Sequence, residues 1–210
     1  MASPLQLITV SSTFVIFLLS AILAAYLLRR YAKRKKDKNY LFWSIGVWVF
    51  AISALLETLF ALNVYNVFLM EAYLFLVVLL VELLGLGSIQ LTKFAAVRRT
   101  YYVFFVITLA ATLYSVYTTK PRDLVANYVV ALPPPLFVTI TSTVGTTVAA
   151  AVILIMAAMG YRRTKNRKLL SIIAGVVVVS IAGFLYIAAF PVLLYYAEFL
   201  GILLLWLGFF

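Results

Sequence analysis

Seven long apolar runs separated by short polar stretches set the pattern of this chain. They cover about residues 5–28, 40–62, 66–91, 100–119, 136–160, 169–190 and 192–210. Each is near the ~20 residues that a helix needs to cross a bilayer. A helix satisfies its own backbone hydrogen bonds in lipid, so the pattern predicts helices throughout. The expected architecture is an all-α integral membrane protein, a single seven-transmembrane-helix bundle over residues 1–210.

The polar stretches alternate in charge. Arg29 to Lys38 is densely basic, Lys93, Arg98 and Arg99 follow the third run, and Tyr161 to Lys168 is basic again. Between them, Asn63-Val64-Tyr65-Asn66 reads as a tight turn. The stretch from Lys120 holds only Lys120 and Arg122 and ends in Pro133-Pro134-Pro135, which pre-set the next helix start. Cytoplasmic loops collect Lys and Arg, which places the N-terminus outside and the C-terminus in the cytoplasm of an expected multi-pass plasma-membrane protein. The first run has no basic segment before it and no small-residue cleavage site after it, so it is expected to be retained.

Composition narrows the function classes. Hydrophobic residues make up 66% of the chain and charged residues 11%, too apolar for a soluble domain of this length. The net charge of +11 would suggest nucleic acid in a soluble protein. Here the basic residues flank apolar runs, so the expected partners are the lipid bilayer and anionic lipids at the basic loops, not nucleic acid. The chain has no Cys and no His, which rules out disulfides and argues against haem or zinc. No metal or other cofactor is expected. Without a nucleophile–base arrangement or a phosphate-cradling Gly loop, no enzyme is expected either.

Chemistry concentrates in the acids. Asp37 and Asp123 lie in polar loops, whereas Glu57, Glu71, Glu82 and Glu198 interrupt apolar runs that contain no Lys or Arg. An acidic side chain at mid-membrane costs about 2.5–3.5 kcal/mol on insertion scales, so such groups face the bundle interior. Glu57 and Glu71 flank the tight turn almost symmetrically, and Glu198 falls near the same outer depth. These three are expected to share a layer. Glu82 lies eleven residues after Glu71, about 20° around a helix and roughly 16 Å deeper, so the two acids share a face. Stacked acids suit a proton or cation path. Equally, protonated glutamates can serve as structural hydrogen-bond partners between helices.

Other polar residues fit around them. Tyr195 precedes Glu198 by three positions and is placed to donate to it. Thr139, Ser142, Thr143, Thr146 and Thr147 form a hydroxyl stripe on the fifth run, with a shorter version in Thr9, Ser12 and Thr13. Such stripes line cavities or let helices approach closely. Tyr186, Tyr196 and Trp206 are further candidates for cavity lining. Trp43, Tyr101, Tyr102, Tyr117 and Tyr161 fall near membrane boundaries and read as interfacial anchors.

An internal match suggests a parallel repeat of three helices, a linker helix and three more. Thr9 to Phe14 aligns with Thr139 to Val144, Gly46 with Gly175, and Glu71 with Glu198. In topology the chain resembles microbial rhodopsins, but its last run has no Lys to hold retinal. The three-plus-one-plus-three arrangement resembles SWEET-type sugar transporters, without their Pro-Gln signature in the corresponding helices. Phe42-Trp43-Ser44-Ile45-Gly46, Ala51 to Glu57, Leu84-Gly85-Leu86-Gly87-Ser88 and Leu207-Gly208-Phe209 resemble an uncharacterised group of prokaryotic seven-helix proteins. They also look like the membrane sensor halves of some histidine kinases. These resemblances imply the fold and no established activity. The expected function is a small transporter or channel-like protein for a proton or small cation. The alternative is a non-transporting ligand-sensing or scaffold subunit, with a protein partner or as a homo-oligomer.

Overall fold

The computed structural model describes residues 4–33, 35, 37–120, 125–126, 128–130, 134–187 and 191–209. Seven helices account for nearly all of them: α1 (Pro4–Lys33), α2 (Lys38–Ala61), α3 (Val67–Ile89), α4 (Ala95–Thr119), α5 (Leu136–Thr164), α6 (Lys168–Ile187) and α7 (Pro191–Phe209). The runs read from the sequence recur with small shifts. The largest lengthen α1 into the basic segment and start α4 at Ala95. Cations at the end of α1 offset its partial negative charge, so Arg30 and Lys33 suit the last turn. The first five helices are long and apolar enough to cross a membrane.

Neighbours in sequence pack antiparallel. Ser44 Oγ donates to Ala24 O at 2.8 Å, and Thr58 Oγ1 donates to Thr13 Oγ1 at 2.9 Å, joining α1 and α2 along their length. Asn66 caps α3 by accepting from Leu69 N at 2.9 Å, and Asn63 takes φ 62° in the turn before it. On α7, Trp206 Nε1 donates to Leu19 O at 3.0 Å, closing the bundle back onto α1. The core centre is shared by α1, α2, α5, α6 and α7, with Leu23, Leu27, Val47 and Ile202 essentially inaccessible.

The stretch between α4 and α5 differs from the loop expected there. Two short strands, β1 (Val125–Ala126) and β2 (Val129–Val130), pair antiparallel with Val125 opposite Val130. Tyr128 supplies the turn at φ 67°. Val130 is buried among Phe60, Met70, Tyr73 and Val138. The hairpin seats itself on the bundle end through Val130, whose branched side chain suits a strand and supplies apolar surface. Pro135 precedes α5 as expected, while Asp123 and Pro133 lie outside the described residues.

Two glycines that the sequence matches, Gly46 and Gly175, sit at comparable helix contacts. A methyl on Gly46 would lie 3.2 Å from Leu80 O on α3, and one on Gly175 would lie 3.2 Å from Gly201 O on α7. The α2–α3 and α6–α7 pairs thus use a glycine in the same way. That register sets Leu80 against Gly201, which pairs Glu198 with Val77 and not with Glu71. The expected match of Glu71 with Glu198 is not carried by the packing.

Candidate functional site

Helix α3 presents opposite faces to two different acidic sites. Tyr73 and Glu82 are nine residues apart, roughly 180° around the helix. Tyr73 turns to α2, where its hydroxyl donates to Glu57 Oε1 at 2.6 Å. Glu82 turns to α4 and α5.

At the first site Glu57 is 3% exposed, and its Oε2 is buried with no hydrogen-bond partner. Glu57 is also the charged neighbour of Glu198 on α7. Glu198 is half-buried as a residue, but its Oε2 is inaccessible and has no hydrogen-bond partner. Two carboxyl groups, on α2 and α7, lie within electrostatic range of each other at this end of the bundle, each with a buried oxygen that has no hydrogen-bond partner among the described residues. The hairpin lies over this end of the bundle. Its Val130 N–H donates to the Tyr195 hydroxyl at 3.3 Å, tying β2 to α7 one turn before Glu198. Tyr195, which the sequence places beside Glu198, accepts from the hairpin through its hydroxyl oxygen.

Glu71 shares the depth of Glu57 but not its facing. It lies two residues before Tyr73, about 200° around α3, and so turns away from Glu57. Glu71 is half-buried and sits on the same side of α3 as Glu82, as the eleven-residue spacing predicts.

Glu82 forms the second site. It is 0% exposed, and neither carboxyl oxygen meets hydrogen-bond geometry, although the Thr108 side chain on α4 lies beside it with its hydroxyl donating to Phe104 O. Its Oε1 occupies the place where a side chain at Gly145 would begin, and Thr108 Cβ lies 3.5 Å from that point. Only glycine lets α5 pass so close to a carboxyl. One turn further along α3, the Tyr101 ring occupies the space left by Gly85, and its hydroxyl lies 3.5 Å from Glu82 O. The sequence reading took Tyr101 for an interfacial anchor; it is 5% exposed and walls the Glu82 site instead. Trp43 also turns inward, with Nε1 donating to Leu84 O at 3.2 Å.

The hydroxyl row that accompanies Glu82 belongs to α4, not α5. Thr108, Thr112 and Ser115 are all buried and share one face of α4, and the Thr112 hydroxyl has no partner. Ser115 Oγ hydrogen-bonds Thr141 Oγ1 on α5 at 2.9 Å. Over seven residues this row runs about 10 Å from Glu82 toward the hairpin end. On α5, by contrast, Thr143 and Thr147 are exposed. Thr139 donates to Pro134 O and Pro135 O, Ser142 to Thr139 O, and Thr146 to Ser142 O. Those hydroxyls satisfy themselves on their own backbone. The inward face of α5 is Val138, Gly145, Ala149, Ile153 and Ala157. Tyr196 is exposed and Trp206 bonds α1, so neither lines the acids; the Tyr186 side chain lies outside the described residues.

Tyr73, Thr108, Thr112 and Gly145 are the site residues that the sequence reading missed. A signal existed on α4: Thr108, Thr112 and Ser115 follow at spacings of four and three within an apolar run. Among the described residues no three metal-ligating side chains gather. Comparison with known protein families, curated proteins and solved structures finds no match, so the site is read from its own chemistry.

Proposed function

We propose that this chain is a small membrane transporter or channel-like protein that takes up a proton or a small cation on its intramembrane glutamates. One observation carries the reading. Four carboxyl oxygens, Oε2 of Glu57 and Glu198 and both of Glu82, are buried without a hydrogen-bond partner. A buried polar group left unsatisfied costs about 1–3 kcal/mol. A fold retains such groups where their chemistry is used, and a proton or a cation supplies the missing partner. The acids beneath the hairpin are one station and Glu82, on the opposite face of α3, is a second, with the α4 hydroxyls running from Glu82 toward the hairpin end. In this reading the basic ends of the helices face the cytoplasm and the hairpin faces outward, following the distribution of Lys and Arg.

The close packing of Gly145 on Glu82 favours a second reading, a non-transporting ligand-sensing or scaffold subunit in which Glu82 sits in a sealed core. Flux through purified proteoliposomes separates the two. With an internal pH-sensitive dye and an imposed proton or sodium gradient, Glu82→Gln and Glu57→Gln are expected to lower flux at least about tenfold, a loss of about 1.4 kcal/mol in the limiting step. Folded protein that gives no flux above empty liposomes under either gradient would remove the transport reading and leave the second.

A further inference from the structure

At the opposite end of the bundle from the hairpin, the last two turns of α1 carry Tyr26, Arg29, Arg30 and Lys33. Their spacing of three, four and seven residues puts them in one stripe along the helix. Tyr40, in the first turn of α2, lines the same space from across the connecting segment. Among the described residues these five line an open cleft of about 520 Å³. The glutamate sites contribute nothing to it, and the inference drawn here stands apart from the transport reading.

The centre of the cleft is organised around Arg30. Its guanidinium carbon lies 4.8 Å from the centroid of the Tyr26 ring and 5.8 Å from that of Tyr40. One of its nitrogens donates to Phe209 O at 3.1 Å, so the end of α7 holds it too. The Tyr40 ring is itself braced edge-on by Trp43, with centroids 5.7 Å apart. A guanidinium held by two rings and a carbonyl has lost most of its rotamer freedom before any ligand arrives, and an arginine has five N–H donors to share. Arg29 and Lys33 are exposed and add two positive charges on the same stripe. Asp37, the acid nearest in sequence, does not line the cleft.

A fixed arginine fork flanked by two more cations matches a phosphate group, which offers several acceptor oxygens at one centre. The cleft also lies where the apolar runs of α1 and α2 end, the depth at which a phospholipid carries its phosphate. We infer that the Tyr26–Arg29–Arg30–Lys33–Tyr40 cleft is a binding site for a phosphate group, presented by an anionic phospholipid headgroup or by a soluble phosphate compound. This differs from diffuse attraction of basic loops to an anionic surface, because it depends on the shape of Arg30 as well as on charge.

The test is native mass spectrometry of the full chain in detergent with equal amounts of phosphatidylglycerol and phosphatidylcholine, alongside thermal melting with inorganic phosphate. Preferential retention of phosphatidylglycerol identifies a lipid source, and a melting temperature raised by inorganic phosphate identifies a soluble one; either supports the site. Arg30→Lys keeps the charge but loses the fork, and is expected to weaken the responding ligand about tenfold. Arg29→Gln and Lys33→Gln, both at exposed positions, are expected to weaken it about fivefold each. Arg163→Gln, in the last turn of α5 within another basic stretch, is expected to change it less than about twofold. Equal retention of the two lipids with no response to phosphate would overturn the inference. So would an Arg163→Gln loss as large as that of Lys33→Gln, or wild-type binding by Arg30→Lys, since each would reduce the effect to general charge.

Discussion

The two acidic sites solve the same problem in opposite ways. At the hairpin end Glu57 shares its burial with Tyr73, which satisfies one oxygen, and with Glu198, which brings a second carboxyl. Glu82 has neither: both oxygens are unpartnered, and α5 closes on it through Gly145. The first site is a hydrogen-bonded cluster under a small lid, and the second is a lone acid in a tight wall. Polar groups in the first contribute to holding helices together; in the second the carboxyl costs stability and its neighbours only make room for it. Substitutions should therefore act with different signs at the two places.

The largest effect is expected at Gly145. Gly145→Leu pushes a side chain into the space of the Glu82 carboxyl, and overpacking of this kind costs about 1–3 kcal/mol or more. Reversible unfolding in mixed micelles would register the loss, and wild-type stability would mean that α3 and α5 do not approach as described. Next comes a pair of opposite sign. Glu82→Leu removes two unsatisfied oxygens and is expected to stabilise the fold by about 1–2 kcal/mol while abolishing flux. Glu57→Leu loses the Tyr73 bond and is expected to destabilise by about 0.6–1.7 kcal/mol, the range for interhelical hydrogen bonds in membranes. Both changes destabilising the fold would make Glu82 a structural partner and erase the contrast.

A rate effect tests the lid. The chain has no Cys, so Glu198→Cys introduces a single thiol. Val130→Asp places a charge where β2 is buried, which unseats the hairpin. Labelling of that thiol by a membrane-impermeant reagent is expected to speed up about tenfold, the equivalent of about 1.4 kcal/mol of lost closure. An unchanged rate would mean the hairpin does not cover the paired acids. The smallest effect belongs to the α4 row. Thr112→Val removes a buried hydroxyl without a partner, so stability should move by less than about 0.5 kcal/mol. Flux should nevertheless fall if the row carries protons between Glu82 and the hairpin end.

Much of this arrangement was legible in the residue order. The seven runs, the Asn63–Asn66 turn and the exclusion of Lys and Arg from the runs follow from local composition. So does the identity of the membrane-depth acids, because an acid inside an apolar run is conspicuous wherever it packs. Which acids meet was not legible. Depth along a helix can be counted from its ends, and it placed Glu57, Glu71 and Glu198 in one layer. Facing is a second coordinate, and it depends on which neighbour each side of the helix touches. Glu71 shares the depth of Glu57 but turns about 200° from the Tyr73 that bonds it. The hydroxyl stripes show the same limit: α5 has the denser row, but its small residues face inward and its hydroxyls bond their own carbonyls. The sparser row on α4 is the buried one.

The sequence by itself determined the helical elements, the basic stretches between them, and the presence of carboxyl groups within apolar runs. Those properties come from transfer energies and backbone hydrogen bonding, which act within a run of about twenty residues. Only the tertiary structure decided that Glu57 would meet Tyr73 and Glu198, that Gly145 would make space for Glu82, and that Arg30 would be held between two rings. Those outcomes depend on how the helices are rotated against one another. In a bundle apolar nearly all round, rotation is set by small residues and a few interhelical hydrogen bonds between distant parts of the chain.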